Sequence, residues 1–156
     1  MGDHRINAII LDNESVARRT RAIEQEREVA IYDLLEANRF KPAGSSGGPY
    51  RLTLGEEENR LVFDIALEEG APHGKVMVSL APFRGLIRDY FLVCDSYYKA
   101  IRTAPPSQIE ALDMGRRALH DEGAQLLLAR LEGKIETDFD TARRLFTLIC
   151  VLHLKV

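Results

Sequence analysis

The sequence has little of several features that would assign a protein to a functional class directly. It contains only two cysteines, Cys94 and Cys150, and no CxxC pair, so neither a disulfide scaffold nor a cysteine-ligated zinc site is indicated. Each cysteine lies inside an apolar helical run, which predicts a buried, reduced thiol. The four histidines are far apart in the sequence and show no HxxxH or HExxH spacing. We therefore expect no metal ion and no cofactor.

Long apolar runs and an excess of one charge are also missing. A membrane-spanning helix needs about 18 apolar residues, and no apolar stretch approaches that length. The N-terminal segment MGDHRINAIIL shows neither the long apolar core nor the small-residue cleavage site of a signal peptide. Lys and Arg number 21 and Asp and Glu number 24, giving a formal net charge of −3. This balance does not favour a polyanionic partner such as nucleic acid. We expect a cytoplasmic protein that does not bind membranes, and nucleic-acid binding is not indicated by the overall charge.

The length of 156 residues, with 46% apolar and 29% charged residues, suits one hydrophobic core. A single globular domain over residues 1–156 is the prediction. The segment RINAIIL predicts a first strand over 5–11, and NESVARRT predicts an external connector. Residues 20–38 predict an amphipathic helix with Thr20 as its N-cap. Its expected apolar face comprises Ile23, the stem of Arg27, Ala30, Ile31, Leu34 and Leu35.

Period-two alternation follows a glycine-rich connector, KPAGSSGGPY. Apolar residues alternate through 50–54, 61–67 and 76–80, which predicts an antiparallel meander with one buried face. The rest of the chain has helical periodicity, with predicted helices over 82–102 and 108–131. Ser107 and Glu110 resemble a capping box for the second of these helices.

A last segment, DFDTARRLFTLICVLHLK, is opened by Asp138 or Asp140 and is apolar almost all round over residues 145–152. A central core helix is the favoured interpretation, with a strand as the alternative because of its Ile, Val and Thr content. The predicted order is β-α-β-β-β-α-α-α. It indicates an α+β domain in which helices pack on an antiparallel sheet of three to four strands. The position of the first strand in the sheet stays open.

The stretch DMGRRALHDEGAQLLL concentrates polar residues on one predicted helix. Asp113 and Arg117 form an i,i+4 pair, which a surface salt bridge explains. Arg116 projects between apolar residues, and a buried guanidinium requires a carboxylate or carbonyl partner. The glycines Gly115 and Gly123 suggest close backbone approach or a bend at these positions.

Tight helix packing around a buried ion pair is the favoured interpretation of this stretch. In the alternative, a ligand pocket, Asp113, Arg116, Arg117 and His120 bind a small anion, and His120 acts as general acid or base. A partner interface is the third interpretation. No nucleophile stands at a diagnostic spacing, so catalytic residues are not identified.

The connector PAGSSGGP lacks the Lys-Ser/Thr of a phosphate-binding loop and precedes a strand. We expect a flexible surface loop, and its residues Ser45, Ser46, Gly47 and Gly48 are candidates for closing over a pocket near Arg116.

The segments REVAIYDLLEAN, GGPYRL, NRLVFDI, DYFLVCDSYYKAIRTAPPSQIEALDMGRRALHDEG and DFDTARRLFTLICVLH together resemble an uncharacterised protein family found mainly in alphaproteobacteria. The resemblance extends from about Arg5 over nearly the whole chain. It implies a cytoplasmic bacterial protein of one small domain, and it implies no activity, cofactor or catalytic residue.

Three functions compete on these grounds. The first is a non-enzymatic interaction or adaptor protein with a protein partner or a homo-oligomeric state, since no chemical motif is assembled. The second is a small enzyme or ligand-binding protein with an anion pocket around Arg116, Arg117 and His120. The third and weakest is nucleic-acid binding through the helix pair on either side of TAPPSQ.

Overall fold

The computed structural model describes residues 3–12 and 20–153. Four strands form the main sheet in the order β1-β3-β4-β5. These strands are β1 (Ile6–Leu11), β3 (Tyr50–Glu57), β4 (Arg60–Leu67) and β5 (Pro72–Ser79). Most of the predicted connector NESVARRT, residues 13–19, lies outside the described residues.

The predicted meander is present as β3-β4-β5, with antiparallel pairing throughout. Its tight β3-β4 turn is made by Glu58 and Asn59, both at positive φ, as a two-residue hairpin requires. The first strand, whose position the sequence left open, pairs parallel with β3 and makes the sheet mixed. The α+β class and the predicted order of the main elements are confirmed.

One face of the sheet is buried because apolar side chains alternate along the strands. Cross-strand partners Leu54 and Phe63 are typical, with at most 2% of either residue exposed. The same face carries Leu52, Leu61, Ile65 and Val78. The helices pack on this face.

Four helices follow the predicted periodicity: α1 (Arg21–Glu36), α2 (Arg84–Thr103), α3 (Pro106–Leu131) and α4 (Phe139–Leu152). Thr20 caps α1 by accepting a hydrogen bond from the Ile23 amide at 3.1 Å, as expected. Asp138 caps α4 in the same way through the Thr141 amide. None of the helices in the described part of the chain is long and apolar enough to cross a membrane.

The last helix occupies the centre of the molecule. Every residue of α4 from Leu145 to Leu152 is buried, which explains why this segment is apolar all round. It contacts α1 and α3, and it also touches β3. The helix interpretation of residues 145–152 is therefore confirmed over the strand alternative.

Two details of the helix predictions are wrong. Helix α3 begins at Pro106 with Pro105 as its N-cap, so Ser107 lies inside the first turn and forms no capping box. Proline at the first helical position is pre-organised for the helix, which moves the start towards the N-terminus. Leu35, expected on the apolar face of α1, is 39% exposed, whereas Glu26 is buried on that helix.

Two short strands were not predicted. Strands β2 (Phe40–Pro42) and β6 (Ile135–Thr137) form a separate antiparallel pair. Segments of three residues are too short to show a period in the sequence. The pair ties the connector after α1 to the end of α3.

The two mid-helix glycines of α3 give opposite predictions. A Cβ at Gly123 would lie 2.3 Å from the buried Phe146 ring, whereas at Gly115 it would meet only Val93 Cγ2, at 3.6 Å. Gly123→Ala should lower the free energy of unfolding by about 1–2 kcal/mol, since overpacking outweighs the gain in helix propensity. Gly115→Ala should raise it by up to about 1 kcal/mol. Urea denaturation measures both, and stabilisation by Gly123→Ala would contradict the close packing.

Candidate functional site

A buried carboxylate on α1 is the centre of the polar cluster between the helices. Glu26 is 6% exposed and accepts hydrogen bonds from two tyrosine hydroxyls of α2. Tyr90 donates to Oε1 at 2.5 Å and Tyr98 donates to Oε2 at 2.7 Å. Arg116 of α3 donates from Nη1 to both oxygens, at 3.0 and 3.3 Å. Glu26 thus links three helices through charge-assisted hydrogen bonds.

Arg116 also connects this carboxylate to a second acid. Its Nη2 donates to Asp113 Oδ1 at 2.7 Å, and Asp113 Oδ2 accepts from Arg117 Nε at 2.9 Å. The Arg116 guanidinium lies 5.0 Å from the centroid of the Tyr97 ring, within cation–π range. Two carboxylates and an aromatic face therefore compensate for the desolvation of one arginine.

These surroundings shift the pKa of several groups. Burial raises the pKa of Tyr90 well above 10, and the negative charge of Glu26 raises it further. Burial alone would lower the pKa of Arg116, but the charges of Glu26 and Asp113 outweigh it and the pKa is raised. Burial alone would raise the pKa of Asp113. The hydrogen bonds and charges of Arg116 and Arg117 outweigh this effect and hold the pKa of Asp113 below its usual value. Tyrosine and arginine thus stay protonated and donate, and Asp113 stays ionised.

His120 lies one turn further along α3, with its ring 5.3 Å from that of Tyr90. Its Nε2 is buried and has no hydrogen-bond partner among the described residues. Burial lowers the pKa of His120 to about 4; the negative charge of Glu26 opposes this shift, and the positive charges of Arg116 and Arg143 support it. The imidazole is therefore neutral at physiological pH.

A structural ion pair explains most of the stretch singled out in the sequence. Asp113, Arg116 and Arg117 come together as expected, and His120 lies beside the same cluster. The carboxylate required by Arg116 is supplied by Glu26, which the sequence reasoning did not identify. The spacing in the sequence could have identified Glu26, because it stands three residues after Ile23 and so lies on the apolar face of α1.

The glycine-rich loop lies elsewhere. Ser45 Oγ is 2.5 Å from the Tyr50 hydroxyl, and the Gly48 amide donates to the Asp3 carbonyl at 2.9 Å. None of the residues from Ser45 to Gly48 lines the cleft beside His120. The structure therefore does not bring this loop to the predicted pocket.

A cleft opens beside the polar cluster, between α1, α3 and α4. Its volume is about 240 Å³. Its lining combines an apolar wall from α1 with cationic side chains of α3 and α4, and comprises Glu26, Val29, Ala30, Asp33, Arg116, Arg117, His120, Arg143, Arg144 and Thr147. The neighbouring guanidinium groups make the cleft a candidate site for an anion.

A larger groove runs along the opposite end of α3. One part, of about 650 Å³, lies between the end of α3 and the β2-β6 pair. A second part, of about 430 Å³, lies between the end of α3 and strand β5. Ala129, Glu132 and Lys134 line both parts, so the two are adjacent. Sequence reasoning missed this groove because its walls are distant in the chain.

The cluster offers little means for covalent chemistry. Cys94 Sγ lies 3.9 Å from Glu26 Oε1, and burial raises the pKa of this thiol to about 12, so no thiolate nucleophile is present at neutral pH. Both cysteines are free and buried, as the sequence predicted. Within the described ranges, no group of three or more His, Cys, Asp or Glu side chains could hold a metal ion.

The pKa of His120 makes stability depend on pH in a defined window. The imidazole titrates near pH 4 in the folded protein and near 6.5 when unperturbed, so the unfolded chain binds a proton first as pH falls. The contribution of His120 to stability is complete above pH about 6.5 and declines as the pH drops towards 4. NMR of the His120 ring carbons measures the folded-state pKa directly. Titration near 6.5 in the folded protein would contradict this environment.

Comparison with known proteins covers almost the whole chain. A family model described as an uncharacterised protein family, UPF0262, matches residues 3–155. A UPF0262 protein of Caulobacter vibrioides is 62% identical over 97% of this chain and 94% of its own length. UPF0262 proteins of Nitrobacter winogradskyi and Rhizobium etli are each 57% identical over 97% of this chain, covering 91% and 96% of their own lengths. No solved structure matches. The resemblance seen in the sequence is confirmed, and the chain belongs to the uncharacterised protein family UPF0262.

Proposed function

We propose that the protein is a non-enzymatic interaction module that binds an extended, acidic segment of a partner protein along the outer edge of β5. One observation carries the proposal: strand β5, one of the two edge strands of the sheet, lines the groove at the end of α3. Binding takes place in the cytoplasm, where a reducing environment suits the free thiols of Cys94 and Cys150.

Strand β5 is the last strand of the sheet. Throughout the part of the chain that the structure describes, β5 forms a ladder only with β4, and no other backbone hydrogen bond involves residues 72–79. Its outward N–H and C=O groups are therefore available to a further strand. Pro72 has no N–H to donate, so the portion of the edge that can pair fully is 73–79.

The groove provides room for side chains of the added strand. Met77, Val78 and Ser79 form one wall, and the opposite wall comes from the end of α3 and the residues after it. From there the groove continues to the β2-β6 pair, where Leu128 and Ile135 are part of its lining. An extended segment along β5 would send alternate side chains into this space, which is how strand addition gains specificity.

Charge defines the chemistry of the partner. Three bases of the groove have no ion-pair partner within residues 3–12 and 20–153: Lys41, Arg130 and Lys134. Of the two acids, Glu136 is 3.0 Å from Arg39 Nη2 and is neutralised, leaving Glu132. The uncompensated charge is positive, which favours an acidic segment.

A peptide library tests this proposal. Ten-residue segments that tile an alphaproteobacterial proteome are displayed and selected against the purified protein. We expect enrichment of acidic segments with alternating apolar residues. The double variant Arg130→Glu, Lys134→Glu should bind them roughly tenfold more weakly or worse, because two attractive charges become repulsive.

The matched control carries the same change of charge away from the groove. Lys99→Glu with Arg102→Glu alters two exposed bases near the end of α2, and should bind the selected segments as the wild type does. Selection of no acidic segment, or equal weakening by both double variants, would refute strand addition at β5.

A further inference from the structure

We propose that the cleft between α1, α3 and α4 is a second, independent site that binds a phosphate group, either inorganic or carried by a small molecule. None of its lining residues lines the groove beside β5. The inference therefore does not rest on the proposed interaction with a partner segment.

The cations available to a ligand come from two helices. Arg116 already forms ion pairs with Glu26 and Asp113, so its charge is largely compensated and adds little attraction for a ligand. Arg144, in contrast, lines the cleft and has no ion-pair partner in the described portion of the chain. A partly buried guanidinium without a carboxylate is costly unless an anion joins it. An anion in the cleft would therefore stabilise the charge of Arg144 more than that of the other arginines.

Arg117 and Arg143 also line the cleft, and each is paired with an acid, Asp113 or Asp121. Arg143 Nε lies 2.9 Å from Asp121 Oδ1 but makes no hydrogen bond in that geometry. The Nε and Nη2 groups of Arg117 face Asp113, which holds the guanidinium while leaving Nη1 unused. Each of the three guanidinium groups therefore has at least one N–H outside the hydrogen bonds of the described residues, and phosphate favours several such donors.

The other residues of the cleft limit the charge and the size of the ligand. The oxygens of Glu26 are already occupied by tyrosine and arginine donors, which leaves Asp33 as the acid of the cleft without an ion pair in the described segments. The lining itself carries four arginines and two acids. A volume of about 240 Å³ accommodates a phosphate group with a few further atoms, and Val29 and Ala30 offer an apolar wall to those atoms.

Titration with inorganic phosphate at constant ionic strength tests the site. Arginine Nε–Hε NMR signals report on each guanidinium separately, and methyl phosphate in a parallel titration distinguishes free from esterified phosphate. We expect saturable shifts of the Arg143 and Arg144 signals with at least one of the two ligands. Arg144→Gln should weaken binding about tenfold or more, because it removes a charged hydrogen-bond donor.

Arg102→Gln is the matched control, since it removes an exposed arginine from α2 outside the cleft. It should leave the affinity unchanged, and Arg144→Lys, which retains the charge, should bind more tightly than Arg144→Gln. Shifts that rise linearly without saturation, or equal affinities of Arg144→Gln and Arg102→Gln, would overturn the proposal. Urea unfolding of each variant verifies that it is folded before it is compared.

Discussion

The carboxylate of Glu26 lies in the protein interior, where an ion without partners would lose several kcal/mol of solvation free energy. It persists there because α2 supplies two hydroxyl donors and α3 supplies a guanidinium. Each donor requires a particular rotation and height of its helix relative to α1. The arrangement of the three helices is thus constrained by one acid. The buried apolar side chains of α4 pack against α1 and α3 beside this cluster.

The ion pairs of this cluster leave other bases of the protein available for binding. Glu26 and Asp113 form ion pairs with Arg116. In the described part of the chain, Arg144 of α4 and Arg130 near the end of α3 have no ion-pair partner, and Arg143 pairs only with the exposed Asp121. The protein therefore presents two positively biased recesses at separate places, one between helices and one at the sheet edge. The neutral His120 and the protonated Cys94 add no charge or nucleophile to the first of these.

Much of the fold was predictable from the sequence because the signals are local. Alternation gave β3, β4 and β5, and three- and four-residue spacing gave the helices. The requirement that a buried Arg116 have a carboxylate partner also followed from physical chemistry. The identity of that partner did not, because Glu26 is 90 residues away and pairing across helices leaves no local pattern. The parallel pairing of β1, the short β2-β6 pair and both recesses depend on such distant contacts as well.

A double-mutant cycle measures whether Glu26 and Arg116 hold α1 and α3 together. Glu26→Gln, Arg116→Gln and the double variant are unfolded in urea, with Asp95→Asn and Lys99→Gln as the equivalent cycle for an exposed ion pair of 2.9 Å. We expect a coupling free energy of about 2 kcal/mol for the buried pair and at most about 0.5 kcal/mol for the exposed one. Additive effects of the two substitutions at Glu26 and Arg116, within about 0.5 kcal/mol, would contradict it.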